Sequence, residues 1–193
     1  MEVIFNKSIL EDLYRYEGKN SGKLSVKLKY LFCVPGFTYI FFLRHASESR
    51  FIIARLFWSV FLHLTKVITQ IQIPACTKIG KGFCIVHFGN IVINPDAVIG
   101  DNFNIYQGCL IGNAQGRNAG VPTIGNNVCM NANSIIVGNA HIGNHVLIAP
   151  GAFVNFDVPD NSIVIGNPGR IITRECSPTS KYIVYPIEKK DDE

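Results

Sequence analysis

From residue 79 onward an aliphatic side chain returns every six positions. Ile79, Ile85 and Ile91 form a first block, Ile99, Ile105 and Ile111 a second, and Ile124, Met130, Ile136, Ile142, Ile148 and Val154 an unbroken third. Gly follows the aliphatic directly at Gly80, Gly100, Gly112, Gly125 and Gly143. The fourth place after it is small at Gly89, Cys109, Ser134, Ala140 and Ala152, but aromatic at Phe83 and Phe103. A period of six matches neither the 3.6 of an α-helix nor the two of a strand. It suits strands of two or three residues joined by tight turns, with three hexapeptides closing one triangular coil. Each aliphatic then points at the axis and stacks on its equivalent in the next coil, ~4.7–4.9 Å away. The pattern predicts a mainly β chain, a left-handed parallel β-helix over residues 71–173. Face one collects residues 79, 99, 124 and 142, face two 85, 105, 130 and 148, and face three 91, 111, 136 and 154. The register slips between Ile91 and Ile99, and again between Ile111 and Ile124. The second slip expels residues 113–122 as a loop, a usual carrier of binding function in solenoids.

Before the repeat, residues 30–43 and 51–64 are apolar runs of 14 residues, the first broken by Pro35-Gly36 and the second by Arg55 and His63. A bilayer-spanning helix needs ~20 apolar residues, so neither run is expected to cross a membrane. Two readings stand for this N-terminal helical region, residues 1–70. Its helices pack on each other and on the coil, or residues 23–66 lie on a membrane with Lys23, Lys27, Lys29, Arg44, Arg50 and Arg55 toward lipid phosphates. After Val154 the pattern decays into a cap. Residues 174–193 form a C-terminal tail with a loose polar end at 188–193.

Composition sharpens this division. With 48% hydrophobic and 17% charged residues the chain is not disordered. Residues 79–173 hold 14 of the 17 Gly and 15 of the 17 Asn but only seven charged side chains, whereas residues 1–70 hold ten Lys/Arg against five Asp/Glu. Gly and Asn tolerate positive φ, which a corner in every hexapeptide requires, and stacked Asn can build ladders up the coil. The net charge of +4 includes no dense basic stripe, so no nucleic-acid partner is expected. The six cysteines show no CxxC pair or metal-ligand spacing and read as reduced, buried small hydrophobes. The first residues lack a secretory signal, and a cytoplasmic chain is expected.

His87, third in the hexapeptide that starts at Ile85, is the candidate general base, since neutral imidazole takes a proton well near pH 7. Spacing alone also fits a histidine on a solvent-facing turn. Residues 30–173 resemble the serine acetyltransferase branch of the hexapeptide acyltransferases. The likeness runs through Pro35-Gly36-Phe37, Arg44-His45, residues 75–82, His87, residues 89–93, Gln107, Ile111-Gly112, the 113–122 loop and Gly166-Asn167-Pro168-Gly169-Arg170. It implies transfer of an acetyl group from acetyl-CoA to a hydroxyl, with His87 taking the hydroxyl proton and backbone N–H groups stabilising the oxyanion. It implies coenzyme contacts along Gly112, Asn113, Ala132, Ala149 and Pro150. Arg170 is either a phosphate ligand or an ordinary surface arginine. It implies a homotrimer with active sites between subunits. Tyr106 and Gln107 either line the acceptor pocket or only pack.

The departures from that family are informative. The family carries a carboxylate fifteen positions before its histidine and another just before it. Here those places hold Gln72 and Val86, and Gly120-Val121-Pro122 replaces Arg-His-Pro in the loop. A neutral Gln72 cannot counter an ammonium group, so an uncharged acceptor is expected, a sugar of a surface polysaccharide, ahead of free serine. A non-catalytic trimeric scaffold is the reading from another class. A zinc carbonic anhydrase would need three imidazoles within ~2.0–2.1 Å of one ion. His141, placed at the end of face three, His145 on face one and His87 two coils below do not meet that within one chain, so no metal is expected.

Overall fold

In the computed structural model, which describes residues 4–188, the period of six becomes three parallel sheets wound around one apolar axis. Residues 1–3 and 189–193, the latter nearly all of the expected loose end, lie outside the described residues. Face one stacks Lys78–Ile79, Val98–Ile99, Thr123–Ile124 and His141–Ile142. Face two stacks Cys84–Ile85, Asn104–Ile105, Cys129–Met130, Leu147–Ile148 and Ser162–Ile165, and closes with the antiparallel Arg170–Thr173. Face three stacks Ile71–Gln72, Ile91–Ile93, Leu110–Gly112, Ile135–Val137 and Phe153–Val154. Strands this short hold position because each inward aliphatic sits on the one below. Ile79, Ile99, Ile124 and Ile142 are in register on face one, and Ile85, Ile105, Met130, Ile148 and Val164 on face two. Burying each contributes about 1.5–3 kcal/mol.

The register differs from expectation on face three. Ile91 pairs with Ile71, and it is Ile93 that pairs with Ile111. The surplus residues therefore fall between Ile85 and Ile93, at the corner that holds His87, and not after Ile91. Asn94 explains why the next corner has no slack: its Oδ1 accepts the Asp96 N–H at 2.9 Å and its carbonyl the Ala97 N–H at 3.2 Å. His141 lies on face one beside Thr123 rather than closing face three, and His145 holds the corner after it.

Glycine and asparagine divide the labour that composition had merged. The left-handed conformation recurs at the third place after each face-one position, where Gly82, Asn102, Asn127, His145 and Asn161 have φ of 71°, 58°, 55°, 56° and 53°. Glycine at the first place is there for closeness instead. A Cβ on Gly100 would stand 2.7 Å from the Gly125 carbonyl oxygen, and one on Gly125 2.8 Å from that of Gly143. Between them a ladder climbs the corner. Asp101, Asn126, Asn144 and Asp160 each accept, through Oδ1, the backbone N–H of Lys81, Asp101, Asn126 and Asn144 respectively, at 2.7–3.0 Å.

The N-terminal region folds into α1 (Lys7–Glu17), α2 (Leu24–Cys33), α3 (Pro35–Glu48) and α4 (Ile52–Thr69). Pro35 starts α3 and turns it 99° from α2. α4 runs through Arg55 and His63 to Gln70, whose φ of 57° closes it, so it is four residues longer than the apolar run suggested. Its 18 residues are long and apolar enough to cross a membrane. One side is docked, with Leu62 and Thr69 buried and Trp58 set against Phe41, Phe42 and His45 of α3.

The first coil has no coil beneath it, and its backbone edge would be left bare. Polar side chains of α1 and α3 satisfy it. The Tyr16 hydroxyl donates to the Ile85 carbonyl and accepts its N–H, both at 2.9 Å, and Tyr39 does the same for Ile73 at 3.0 Å. Arg44 donates to the carbonyls of Ile79 and Gly80, and Arg15 to that of Gly82. The Asp12 carboxylate accepts the Phe83 N–H at 2.7 Å and is gripped by Arg44 Nε at 2.7 Å and Nη2 at 3.1 Å. Arg44 is therefore not one of the cations available to lipid, contrary to expectation. Burial pushes the Tyr16 phenol well above its ordinary range and Tyr39 up to about 12, so both stay protonated to donate.

The C-terminal tail is not loose over its described length. It descends from His145, whose Nδ1 is 3.1 Å from Ser177 Oγ, past Thr179, which donates to the Asn127 carbonyl. It ends with Ile187 held by both amide atoms of Asn102. Tyr185 meets the Tyr14 ring edge-on at 6.1 Å, and Ile183 is buried. Removing Arg44 would leave the buried Asp12 carboxylate without its counter-charge and two carbonyls without their donor. Arg44→Met is expected to lower stability by about 3–5 kcal/mol, against less than about 0.5 kcal/mol for the exposed Lys66→Met, both read from urea unfolding. Equal midpoints for the two variants would contradict this role for Arg44.

Candidate active site

Between faces two and three one corner repeats in four successive coils, each time as the two residues after the inward aliphatic. They are Val86-His87, Tyr106-Gln107, Asn131-Ala132 and Ala149-Pro150. His87, Tyr106, Gln107, Ala132, Ala149 and Pro150 thus share one edge of the coil, three steps or about 14 Å from end to end. In each pair the first residue donates its N–H to the coil above: Val86 to Ile105, Tyr106 to Met130, Asn131 to Ile148 and Ala149 to Val164, at 2.9–3.0 Å. The second residue's N–H, at His87, Gln107 and Ala132, bonds no other described residue, and Pro150 has none to offer. The edge carries a line of backbone donors above His87, with small side chains beside them.

At the first coil this corner is widened by the two surplus residues. Gly89 and Asn90 take φ of 113° and 50°, and Gly108 ties the bulge back by donating to the Gly89 carbonyl at 2.9 Å. The widening leaves His87 and Phe88 exposed. The His87 ring meets the edge of Tyr106 at 5.5 Å between centroids, and among the described residues none hydrogen-bonds its nitrogens. Tyr106 is half-buried, which raises its phenol above the ordinary range. Gln107 Oε1 is buried with no partner among the described residues.

The other predicted residues are distributed differently. Gly112 and Asn113 lie beyond this edge, where face three runs into the loop. That loop folds over the coil through paired bonds between Ala114 and Gly120, and Asn118 donates to the Asn155 carbonyl at 2.8 Å. Arg170 is exposed at the start of the last strand, paired with Ile165. Gln72, in register with Val92 on face three, lines a cavity of about 410 Å³ walled by Ser59, His63 and Lys66 of α4. Tyr106 and Val86 instead open onto a cavity of about 420 Å³ shared with Tyr16, Asn104, Tyr182 and Tyr185. The last two belong to the tail and were missed. The signal was an apolar run, Tyr182-Ile183-Val184-Tyr185, inside a stretch read only as a tail.

The cysteines offer no nucleophile here. Cys84, Cys109 and Cys129 are buried, and burial pushes Cys84 to about 11 and Cys129 to about 12. Cys33, Cys76 and Cys176 are exposed, contrary to the expectation that all six are interior. Among the described residues no group of three metal-ligating side chains converges. His141 faces Asp157 at 3.3 Å, and His145 faces Ser177.

No family model matches the chain. It is 37% identical to a serine acetyltransferase of Synechococcus elongatus over 76% of this chain and 61% of that one. It is 38% identical to an Escherichia coli K12 protein named as a colanic acid biosynthesis acetyltransferase, WcaB, over 57% of this chain and 70% of that one. The chain thus spans about three fifths of the length of the serine acetyltransferase it matches. Among solved structures, the serine acetyltransferase of Vibrio cholerae superposes with a TM-score of 0.75 at 25% identity, covering 96% of this chain and 74% of that one. The Brucella abortus serine acetyltransferase in complex with coenzyme A superposes with 0.74 at 26% identity, covering 88% and 68%. Thiol titration with an aromatic disulfide should show three fast groups in the native protein and three more on unfolding. Six fast groups would contradict the burial of Cys84, Cys109 and Cys129.

Proposed function

Because the chain belongs to the serine acetyltransferase-like branch of the hexapeptide-repeat acetyltransferases, we propose that it transfers the acetyl group of acetyl-CoA to a hydroxyl of a neutral sugar in surface polysaccharide synthesis. The observation that carries this reading is the shared edge: an exposed imidazole at its foot and a line of unengaged backbone N–H groups with small side chains above it. An extended thioester arm fits such an edge, because Ala132, Ala149 and Gly151 raise no side-chain wall against it. His87 takes the proton of the acceptor hydroxyl as its oxygen bonds to the carbonyl carbon. Backbone N–H groups at Gln107 and Ala132 face the charge that develops on the carbonyl oxygen. As the carbon–sulfur bond breaks, His87 returns the proton to the departing sulfur.

The acceptor class follows from the cavity lined by Tyr106, whose ring meets that of His87. The cavity that Tyr106 lines is walled by tyrosine rings, an asparagine and one guanidinium, Arg15, already bonded to Gly82 and Asn104. It holds no carboxylate to meet an ammonium group, and aromatic faces with amide and hydroxyl groups suit an uncharged polyhydroxy ring. The WcaB relative supports the same class, while the serine acetyltransferase relatives support free serine as the second reading. We also propose the homotrimer of the initial expectation, because exposed His87 and Phe88 lie on a one-walled edge that a neighbouring copy would close. A left-handed coil is part of the same proposal.

The test is release of CoA thiol from acetyl-CoA with serine, nucleotide sugars and lipid-linked oligosaccharides offered in turn. A glycan acceptor is expected to turn over and serine not. His87→Ala should lower transfer by ~10²–10⁴-fold with an unchanged circular dichroism spectrum. Robust serine turnover would overturn the acceptor, and undiminished transfer by His87→Ala would overturn the mechanism in favour of a different base.

A further inference from the structure

Of the 18 residues of α4 only Leu62 and Thr69 are buried. At about 100° per residue its side chains fall into three sectors. Ala54, Trp58, Leu62, Thr65 and Thr69 form the sector docked on α3 and the coil. Beside it lie Arg55, Ser59 and Lys66. The remaining half of the circumference carries Ile52, Ile53, Leu56, Phe57, Val60, Phe61, Leu64, Val67 and Ile68, every one of them exposed, with His63 its one ionisable side chain, at the margin toward Lys66. Ile53 and Ile68 are each 78% exposed. The sector extends about 25 Å along the helix, far beyond the scattered apolar residues of an ordinary surface.

The charge around it is one-sided. Residues 49–95 contain no Asp or Glu, and Glu48 is the single acid between Glu17 and Asp96, a stretch that holds ten Lys and Arg. Arg44 is consumed by Asp12, but Arg50, Arg55 and Lys66 are exposed. α2 repeats the combination, with Leu24, Leu28 and Phe32 exposed at intervals of four and Lys23 beside them. Pairing with a second copy through α4 would bring acid-free basic surfaces together, and one partner helix covers a stripe of only about 100°. An anionic bilayer meets both features, taking the apolar half among its acyl chains and the cations at its phosphates.

We propose that α4 docks the protein on the surface of an anionic membrane, lying in the interface with its apolar half inserted. The helix lies on the surface and does not cross it. Leu62 is part of the common core, and Thr69 is two residues from the first strand of the coil. The docked helix also walls the cavity that holds Gln72, through Ser59, His63 and Lys66. A lipid-linked acceptor would therefore be presented beside the coil; that clause alone rests on the proposed acetyl transfer, and membrane docking does not.

Co-sedimentation of the full chain with phosphatidylcholine vesicles, with and without phosphatidylglycerol, tests docking without any enzymatic readout. Wild-type protein is expected in the pellet only with phosphatidylglycerol. Ile53→Glu/Leu64→Glu, both at exposed positions, is expected to remain in the supernatant with an unchanged mass by light scattering. Arg55→Gln/Lys66→Gln should weaken binding on the order of 30-fold, from about 1 kcal/mol per cation. Failure of the wild type to sediment, or equal sedimentation of the Glu variant, would overturn the proposal. A Glu variant that loses oligomeric mass while the wild type ignores vesicles would assign the surface to a second copy.

Discussion

A β-helix must end somewhere, and its end is an edge of unpaired backbone groups. Here the first coil is closed not by another coil but by five polar side chains, the buried Asp12, Arg15, Tyr39 and Arg44 and the half-buried Tyr16. An unsatisfied buried donor or acceptor costs about 1–3 kcal/mol, and the edge presents several together. The helical region is thus bound to the coil by the coil's own need. Because Tyr16 holds both backbone groups of Ile85, and Ile85 precedes the widened corner, the same contacts fix the point from which Val86 and His87 leave the coil.

The widened corner is the second consequence. Two surplus residues in coil one push His87 out while the same corner of the coils above keeps its six-residue step, so one imidazole stands below a regular ladder of backbone groups. The low charge of the coil matters for the chemistry. No carboxylate among the described residues accompanies His87, and the proposed transfer rests on one imidazole and on backbone dipoles fixed by the fold. The opposite end of the charge asymmetry, the acid-free stretch that contains α4, gives the molecule a surface suited to anionic lipid.

Much of the coil was legible because burial repeats at a fixed period. Ile99, Ile105, Ile124, Met130, Ile136 and Ile142 read as inward and are inward, and the three faces follow from counting. Counting failed at Ile91, because either of two isoleucines, Ile91 or Ile93, satisfies the pattern, and only the hydrogen bonds of Asn94 decide between them. The polar cap was not legible at all. Asp12, Tyr16 and Tyr39 owe their roles to tertiary contacts with residues 34 to 71 positions away, which leave no local period. Of the candidate site, the residues that fall one or two places after a face-two aliphatic converged on one edge. Gln72, placed by resemblance alone, lines a different cavity.

The edge above His87 as the seat of the thioester arm is the claim on which the functional account turns. Hydrogen–deuterium exchange of the native protein with and without CoA addresses it directly. Exchange is expected to slow at the backbone N–H groups of Gln107 and Ala132, with no change along the Asp101, Asn126 and Asn144 ladder on the far corner. Protection confined to that ladder, or none at either corner with CoA bound, would contradict it.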